Sequence, residues 1–228
     1  MLITLDALGT LVALAPPAPR LAAQLRARGV ELSEQQAGSG IAAEIAYYRA
    51  HLDSGFDEPG LQRLRDRCTD VLREALEQAG VGVGALAPGA LREALLAALC
   101  FRPYPEVPAT LSRLRAAGHR LVVVSNWDVS LHEMLHDTGL DVLLDGAISS
   151  AQAGVAKPDP MIFRRALEFA GEPAAHALHA GDSLQYDVVG ALDAGLRAAL
   201  VVRAGALPVV PAGVAILGSL TELASLAP

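Results

Sequence analysis

Lysine is nearly missing from this chain. Of 228 residues only Lys157 is a lysine, and arginine supplies the rest of the 18 positive side chains. Asparagine is as scarce, with Asn126 alone. Scarcity of this kind reflects compositional bias, yet it limits the mechanisms open to the protein. Cysteine occurs twice, at Cys68 and Cys100. Two distant thiols do not make a disulfide framework and fit a reducing cytoplasm. No apolar run approaches the roughly 20 residues a membrane span needs, so no membrane association is expected. Met1 leads straight into the strand-like LITL with no charged segment before it. That pattern carries no signal peptide, and a cytoplasmic location is the expectation. The formal net charge of -7 leaves no basic footprint, so nucleic acid is not expected as a partner.

What the chain has in quantity is hydrophobic side chain, 52% of residues, which excludes disorder as the main state. A chain of this length can bury a full core, as one α/β domain with a sizeable insertion. LITLDALGTLV reads as a buried strand running into a turn at Asp6. From about 15 to 100 the pattern is helical throughout. Ser33 and Gln36 form a capping box, Asp57 and Pro59 open a long helix through Leu61, Leu64, Cys68, Val71, Leu72 and Leu76, and Pro88 opens another. The glycine-rich stretch 79–89 follows a helix and reads as a turn.

After residue 100 strands and helices alternate. Strands are expected at 121–125, 147–150, 178–183 and 198–203, with helices at 107–117, 129–138, 159–170 and 186–194. That rhythm predicts βαβ units and a parallel sheet, with ligands bound beyond the strand ends. The domains expected are therefore an α/β core, 1–14 and 101–228, and an inserted helical domain, 15–100.

Polar residues gather at those strand ends. Any one of them alone reads as an ordinary helix N-cap. Together D-x-x-G-T-L at 6–11, Ser125-Asn126 after LVVV, Lys157-Pro158-Asp159 and GDSLQYD at 181–187 resemble, in order and spacing, the four motifs of the haloacid dehalogenase (HAD) superfamily. The helical segment falls between the first two motifs, where that family inserts its C1 cap. The resemblance implies a Rossmann-like parallel-sheet core with a helical cap, and covalent catalysis by Asp6. Asp6 would form an aspartyl-phosphate, splitting one displacement into two easier ones. Mg2+ would be held by Asp6, Asp182, Asp187 and the Leu8 carbonyl, since it takes hard oxygen ligands. Ser125 and Asn126 would bind the phosphate and Lys157 would neutralise its charge.

One position departs from the family pattern. Most phosphatases of this family carry a second aspartate two residues after the nucleophile, as general acid and base. Leu8 stands there, and the lost help is worth about 10²–10⁴ in rate. A good leaving group, a proton from the cap (His51 is its only histidine) or feeble turnover are the three ways round that loss. Three functions follow. The first is a Mg2+-dependent phosphatase acting on a small phosphorylated molecule. The second is a metal-independent 2-haloacid dehalogenase, against which the paired Asp182 and Asp187 weigh, because acidic groups beside Asp6 without a cation repel one another. The third is a phosphate-ligand binding protein with little turnover. Phosphonatase chemistry needs a cap lysine, and there is none.

The HEMLH run at 132–136 matches a zinc-protease signature, yet its setting after Ser125 reads as a solvated helix face. Asp128 is expected to cap that helix and Trp127 to pack or line the site. His176 and His179 are expected to be structural.

Overall fold

The tetrad LITL forms β1 (Leu2–Leu5), buried at every position, and β2 (Val12–Leu14) follows a tight loop. In this computed structural model, which describes residues 1–226, the chain then turns helical. Proline begins α1 (Pro17–Arg26), where its missing N–H costs no intrahelical bond. α2 (Glu34–His51) starts on the expected capping box, with Gln36 N donating to the Ser33 hydroxyl and Ser33 N to the Gln36 side chain at 2.9 Å. α3 (Glu58–Gln78) is capped by Asp57, which accepts from Gly60 N at 2.7 Å. It buries Leu61, Leu64, Cys68, Leu72 and Leu76 at spacings of three and four, with Val71 left half-buried. α4 (Ala90–Ala98) begins two residues after Pro88. Leu21, Leu25, Ile41, Leu72, Leu76 and Leu95 meet in the core of these helices. Each such side chain contributes roughly 1.5–3 kcal/mol on burial.

β3 (Phe101–Pro103) pairs with β2 in a two-stranded ribbon, which the sequence patterning does not signal in segments this short. The alternating region follows as α5 (Val107–Ala116), β4 (Arg120–Ser125), α6 (Leu131–Asp137), β5 (Gly146–Ser149), α7 (Ser150–Ala153) and α8 (Pro160–Ala170). It continues as β6 (Ala177–Gly181), a π-helical turn at Leu184–Val189, α9 (Gly190–Asp193), β7 (Arg197–Val201), β8 (Ala215–Leu217) and α10 (Leu223–Leu226). Among the described residues the main sheet has six strands in the order β5-β4-β1-β6-β7-β8. Every neighbouring pair is parallel. Continuous apolar strands such as Leu121–Val124 suit a parallel sheet covered on both faces. The fold is thus mixed α/β with a parallel sheet. Its residues cluster as two compact units, Met1–Ala13 with Arg102–Pro228, and Leu14–Phe101.

Three local features differ from the sequence expectation. The helix expected over 186–194 opens instead with the π turn, in which Val188 N donates to Ser183 O at 3.2 Å and the Asp187 carboxylate accepts from Ser183 N at 2.9 Å. Asp128 does not cap α6. Ser130 occupies the N-cap position, and the Asp128 carboxylate accepts from Ser130 N at 2.7 Å in the turn before it. The short α7 takes up the end of the expected 147–150 strand, with Ser149 as its N-cap. Among the described residues no helix is long and apolar enough to cross a membrane.

β1 lies mid-sheet, with Leu5 paired to Val123 of β4 on one side and Ala180 of β6 on the other. Ser125, the last residue of β4, and Asp6 and Asp182, just beyond β1 and β6, are therefore brought together at the carboxyl ends of the strands.

Candidate active site

Asp6 follows β1 directly, and its backbone N–H donates to Ala180 O at 3.0 Å. Its carboxylate is buried, with 6% of the residue exposed. Asp6 Oδ1 accepts from Ser125 Oγ at 3.0 Å and from Lys157 Nζ at 2.6 Å. The one lysine of the chain thus stands on the proposed nucleophile, buried to 4% exposure. A second carboxylate, Asp187 Oδ1, takes the same ammonium at 2.6 Å.

Asn126 explains how Lys157 is held. Its Oδ1 accepts from Lys157 N at 2.7 Å and its Nδ2 donates to Lys157 O at 2.9 Å. Both ends of this amide are bonded to the Lys157 backbone, so the Asn126 side chain acts as a clasp on Lys157.

The loop after Asp6 is closed by Leu11 N and Val12 N, which donate to Ala7 O at 2.8 and 2.9 Å, and by Gly9 N, which donates to Val12 O at 2.8 Å. Gly9 has φ 86°, and a Cβ there would lie 2.1 Å from Asp182 Oδ2. Glycine therefore serves both the left-handed backbone and the close approach of Asp182. Arg203, beyond β7, braces this loop from below. It donates from Nε to Gly9 O at 3.0 Å, from Nη2 to Thr10 O at 2.6 Å and from Nη1 to Glu106 Oε1 at 2.6 Å. Its guanidinium sits 3.4 Å from the centroid of the Tyr104 ring. Leu8, two residues past Asp6, is partly exposed and carries no titratable group. A cavity of about 430 Å³ lies against Gly9, Tyr104, Asp182, Leu184 and Arg203.

Asp6, Asp182 and Asp187 each offer an oxygen, all within 4.8 Å of one another. It is the one such group of three His, Cys, Asp or Glu side chains among the described residues. Asp187 is 1% exposed, and a Cβ on Gly181 would lie 2.1 Å from its Cγ, so the bare glycine admits it over the end of β6.

The electrostatics follow from crowding. Burial, then the charges of Asp187 and Asp182, push the Asp6 carboxyl up to about 6 despite the opposing pull of Lys157. Burial also acts to raise Asp187, but the Lys157 ammonium and the His179 ring outweigh it and hold it below the usual range. Lys157 would be lowered by burial, yet the charges of Asp6 and Asp187 raise it and keep it protonated. Asp182, at the exposed rim, is raised by partial burial and by Asp187.

His179, expected to be structural, is fully buried in β6 and stands beneath the site with Nε2 3.1 Å from Asp187 Oδ1. No spacing rule marks it; the only signal is a polar side chain in the middle of a buried strand. His176 is exposed, as a residue at the strand border can be. The two histidines of HEMLH are also exposed and pair with neighbours, His132 Nε2 with Gln152 Oε1 at 3.0 Å and His136 Nδ1 with Asp141 Oδ2 at 2.8 Å. Trp127 packs, 7% exposed.

A family model of haloacid dehalogenase-like hydrolases matches residues 1–195. The haloacid dehalogenase-like hydrolase domain-containing protein 3 of Bos taurus is 34% identical over 218 residues, covering 92% of this chain and 84% of its own. A phosphoserine phosphatase of Thermus thermophilus is 38% identical over 162 residues, covering 65% of this chain and 61% of its own. The solved L-2-haloacid dehalogenase of Xanthobacter autotrophicus superposes with a TM-score of 0.69 over 99% of this chain and 98% of that one. At 20% identity that likeness speaks for the fold alone.

Proposed function

The chain belongs to the haloacid dehalogenase-like hydrolase family, and from that premise we propose that it is a phosphatase acting on small phosphomonoesters through Asp6. The observation that carries this reading is the buried Asp6 carboxylate, held by Lys157 and Ser125 within a cluster of three aspartates. The relative named phosphoserine phosphatase supports the same chemistry.

The residues fit a divalent cation. Three carboxylates crowd together against a single ammonium, and all the donors are hard oxygens. Asp6, Asp182, Asp187 and the Leu8 carbonyl would hold Mg2+, which when bound would screen the repulsion between a carboxylate nucleophile and a phosphate dianion.

In the first step Asp6 forms a bond to phosphorus as the P–O bond to the leaving group breaks. In the second, water attacks that acyl phosphate, releasing phosphate and restoring the carboxylate. Lys157 orients the Asp6 carboxylate and offers its remaining N–H to a phosphoryl oxygen. The Ser125 hydroxyl, resting on Asp6 in the free protein, turns to the same phosphoryl group. Asn126 keeps the Lys157 backbone in place. No side chain two residues after Asp6 delivers a proton to the departing oxygen. Esters whose alcohols leave as stable anions are therefore the favoured substrates.

The test is hydrolysis of p-nitrophenyl phosphate with Mg2+ and with chelator, using Asp6→Asn as control. Turnover that needs Mg2+ and vanishes in Asp6→Asn is the expected result. Release of halide from 2-chloropropionate in the presence of chelator, without phosphatase activity, would overturn it in favour of the dehalogenase.

A further inference from the structure

His179 lies in the middle of β6, fully buried, opposite Thr4 of β1. Its ring is bonded at both nitrogens, Nδ1 to Thr4 Oγ1 at 2.9 Å and Nε2 to Asp187 Oδ1 at 3.1 Å. Phe163 closes one side with an edge-on contact, 4.9 Å between centroids. A polar ring at this depth must have both nitrogens satisfied, or the loss approaches the full desolvation cost.

The chemistry of the partners decides which nitrogen carries the proton. Asp187 is ionised and only accepts, so Nε2 must donate to it. The ring is fully buried, where a neutral imidazole with both nitrogens bonded costs least to hold. In the neutral ring Nδ1 is then an acceptor, and the Thr4 hydroxyl donates to it. One directed chain results: Thr4 O–H to Nδ1, Nε2–H to Asp187 Oδ1, Lys157 Nζ–H to the same oxygen, and another Lys157 N–H to Asp6 Oδ1. Ser183 N fixes the other oxygen of Asp187 at 2.9 Å. With both oxygens held, Asp187 cannot rotate, and the ammonium it carries is aimed at Asp6.

We propose that His179 is a positioning residue for the reaction, locked by Thr4 in the Nε2–H tautomer so that Asp187 holds Lys157 against Asp6. This rests on the phosphatase reading for its kinetic consequence but not for its tautomer. The two amide replacements separate the two ends of the ring. Asparagine places its amide near the former Nδ1 and keeps the partner on Thr4, while losing the donor to Asp187. Glutamine reaches the former Nε2 and keeps that donor.

The experiment has two arms. In the wild-type protein, 15N NMR of the His179 ring should show a protonated Nε2 and a bare Nδ1. A protonated Nδ1 overturns the proposal whatever the activity. In p-nitrophenyl phosphate hydrolysis, His179→Asn should lose about 10–100-fold in kcat, the scale on which outer hydrogen-bond partners of metal ligands act. KM should stay nearly constant, and His179→Gln should recover most of the loss. Equal kcat in His179→Asn and wild type, or equal losses in both variants, would also overturn it. A wild type without phosphatase turnover defeats the proposed function instead, and the tautomer then decides this inference by itself.

Discussion

Asp6→Asn should change how the stability of the metal-free protein depends on pH. Burial and two neighbouring carboxylates raise Asp6 from the ordinary 3.8 to about 6. Well below pH 3.8 Asp6 is protonated in both folded and unfolded chains. As pH rises through 3.8 the unfolded chain releases its proton, while the folded chain keeps it until about 6. Between those values each unit of pH removes about 1.4 kcal/mol of stability, so the full deficit above pH 6 is about 3 kcal/mol. Asparagine has no proton to lose and escapes this penalty.

The comparison is therefore urea unfolding of wild type and Asp6→Asn in chelator from pH 4 to 8. The difference between them should move by about 2.5 kcal/mol in favour of the variant across that range, or roughly 5–10 °C in Tm for a protein of this size. Any constant cost of the substitution, such as a weaker bond from Lys157, cancels in the pH dependence. Saturating Mg2+ should remove most of the wild-type deficit, because a ligand bound only by the folded state stabilises it. A difference that stays flat from pH 4 to 8 would refute the reasoning. It would mean that Lys157 already compensates the buried charge.

Gly9→Ala brings a Cβ to within 2.1 Å of Asp182 Oδ2 at φ 86°. It should destabilise the fold by about 1–3 kcal/mol and cost most of the Mg2+ affinity, measured by unfolding and by titration calorimetry. Arg203→Ala removes three hydrogen bonds and a stacked ring beneath the nucleophile loop, and should cost about 2 kcal/mol or more. Arg203→Lys should recover only part, since an ammonium lacks the planar fork. Replacing both His132 and His136 by alanine should leave turnover within about twofold and stability within about 0.5 kcal/mol, because both are exposed. A large loss of turnover in that double variant would revive the zinc reading of HEMLH.

Much of this architecture is legible in the sequence because it rests on local rules. Ser33 with Gln36, Asp57 before Pro59 and the three-and-four spacing of Leu61 to Leu76 each specify a helix without reference to the rest of the chain. The parallel sheet is legible from β-branched runs such as LVVV recurring between helices. The ribbon of β2 and β3 is not, since three-residue strands carry too little pattern. The π turn is not either. Its Val188 N to Ser183 O bond spans one residue more than a helical turn, and the apolar spacing of so short a segment does not distinguish the two. At the site, the polar motif residues were the readable part; that Gly9 and Gly181 are bare where Asp182 and Asp187 come closest is seen only in the fold.

Roles were harder to read than positions, and Asn126 and His179 show why. As residue types they read as a phosphate ligand and a structural histidine; in the fold the Asn126 side chain bonds the Lys157 backbone and the His179 ring bonds Asp187. Both act on the same side chain, and that convergence follows from the scarcity with which the sequence began. One ammonium faces three carboxylates, leaving two negative charges to be balanced when all are ionised. A single mobile lysine could settle on Asp187 and leave Asp6 free to take a proton, which a nucleophile must not hold. Pinning the lysine at its backbone through Asn126 and at its counter-ion through His179 keeps it on Asp6. On the phosphatase reading proposed above, the remaining charge would fall to a divalent cation, and catalysis would be conditional on binding one.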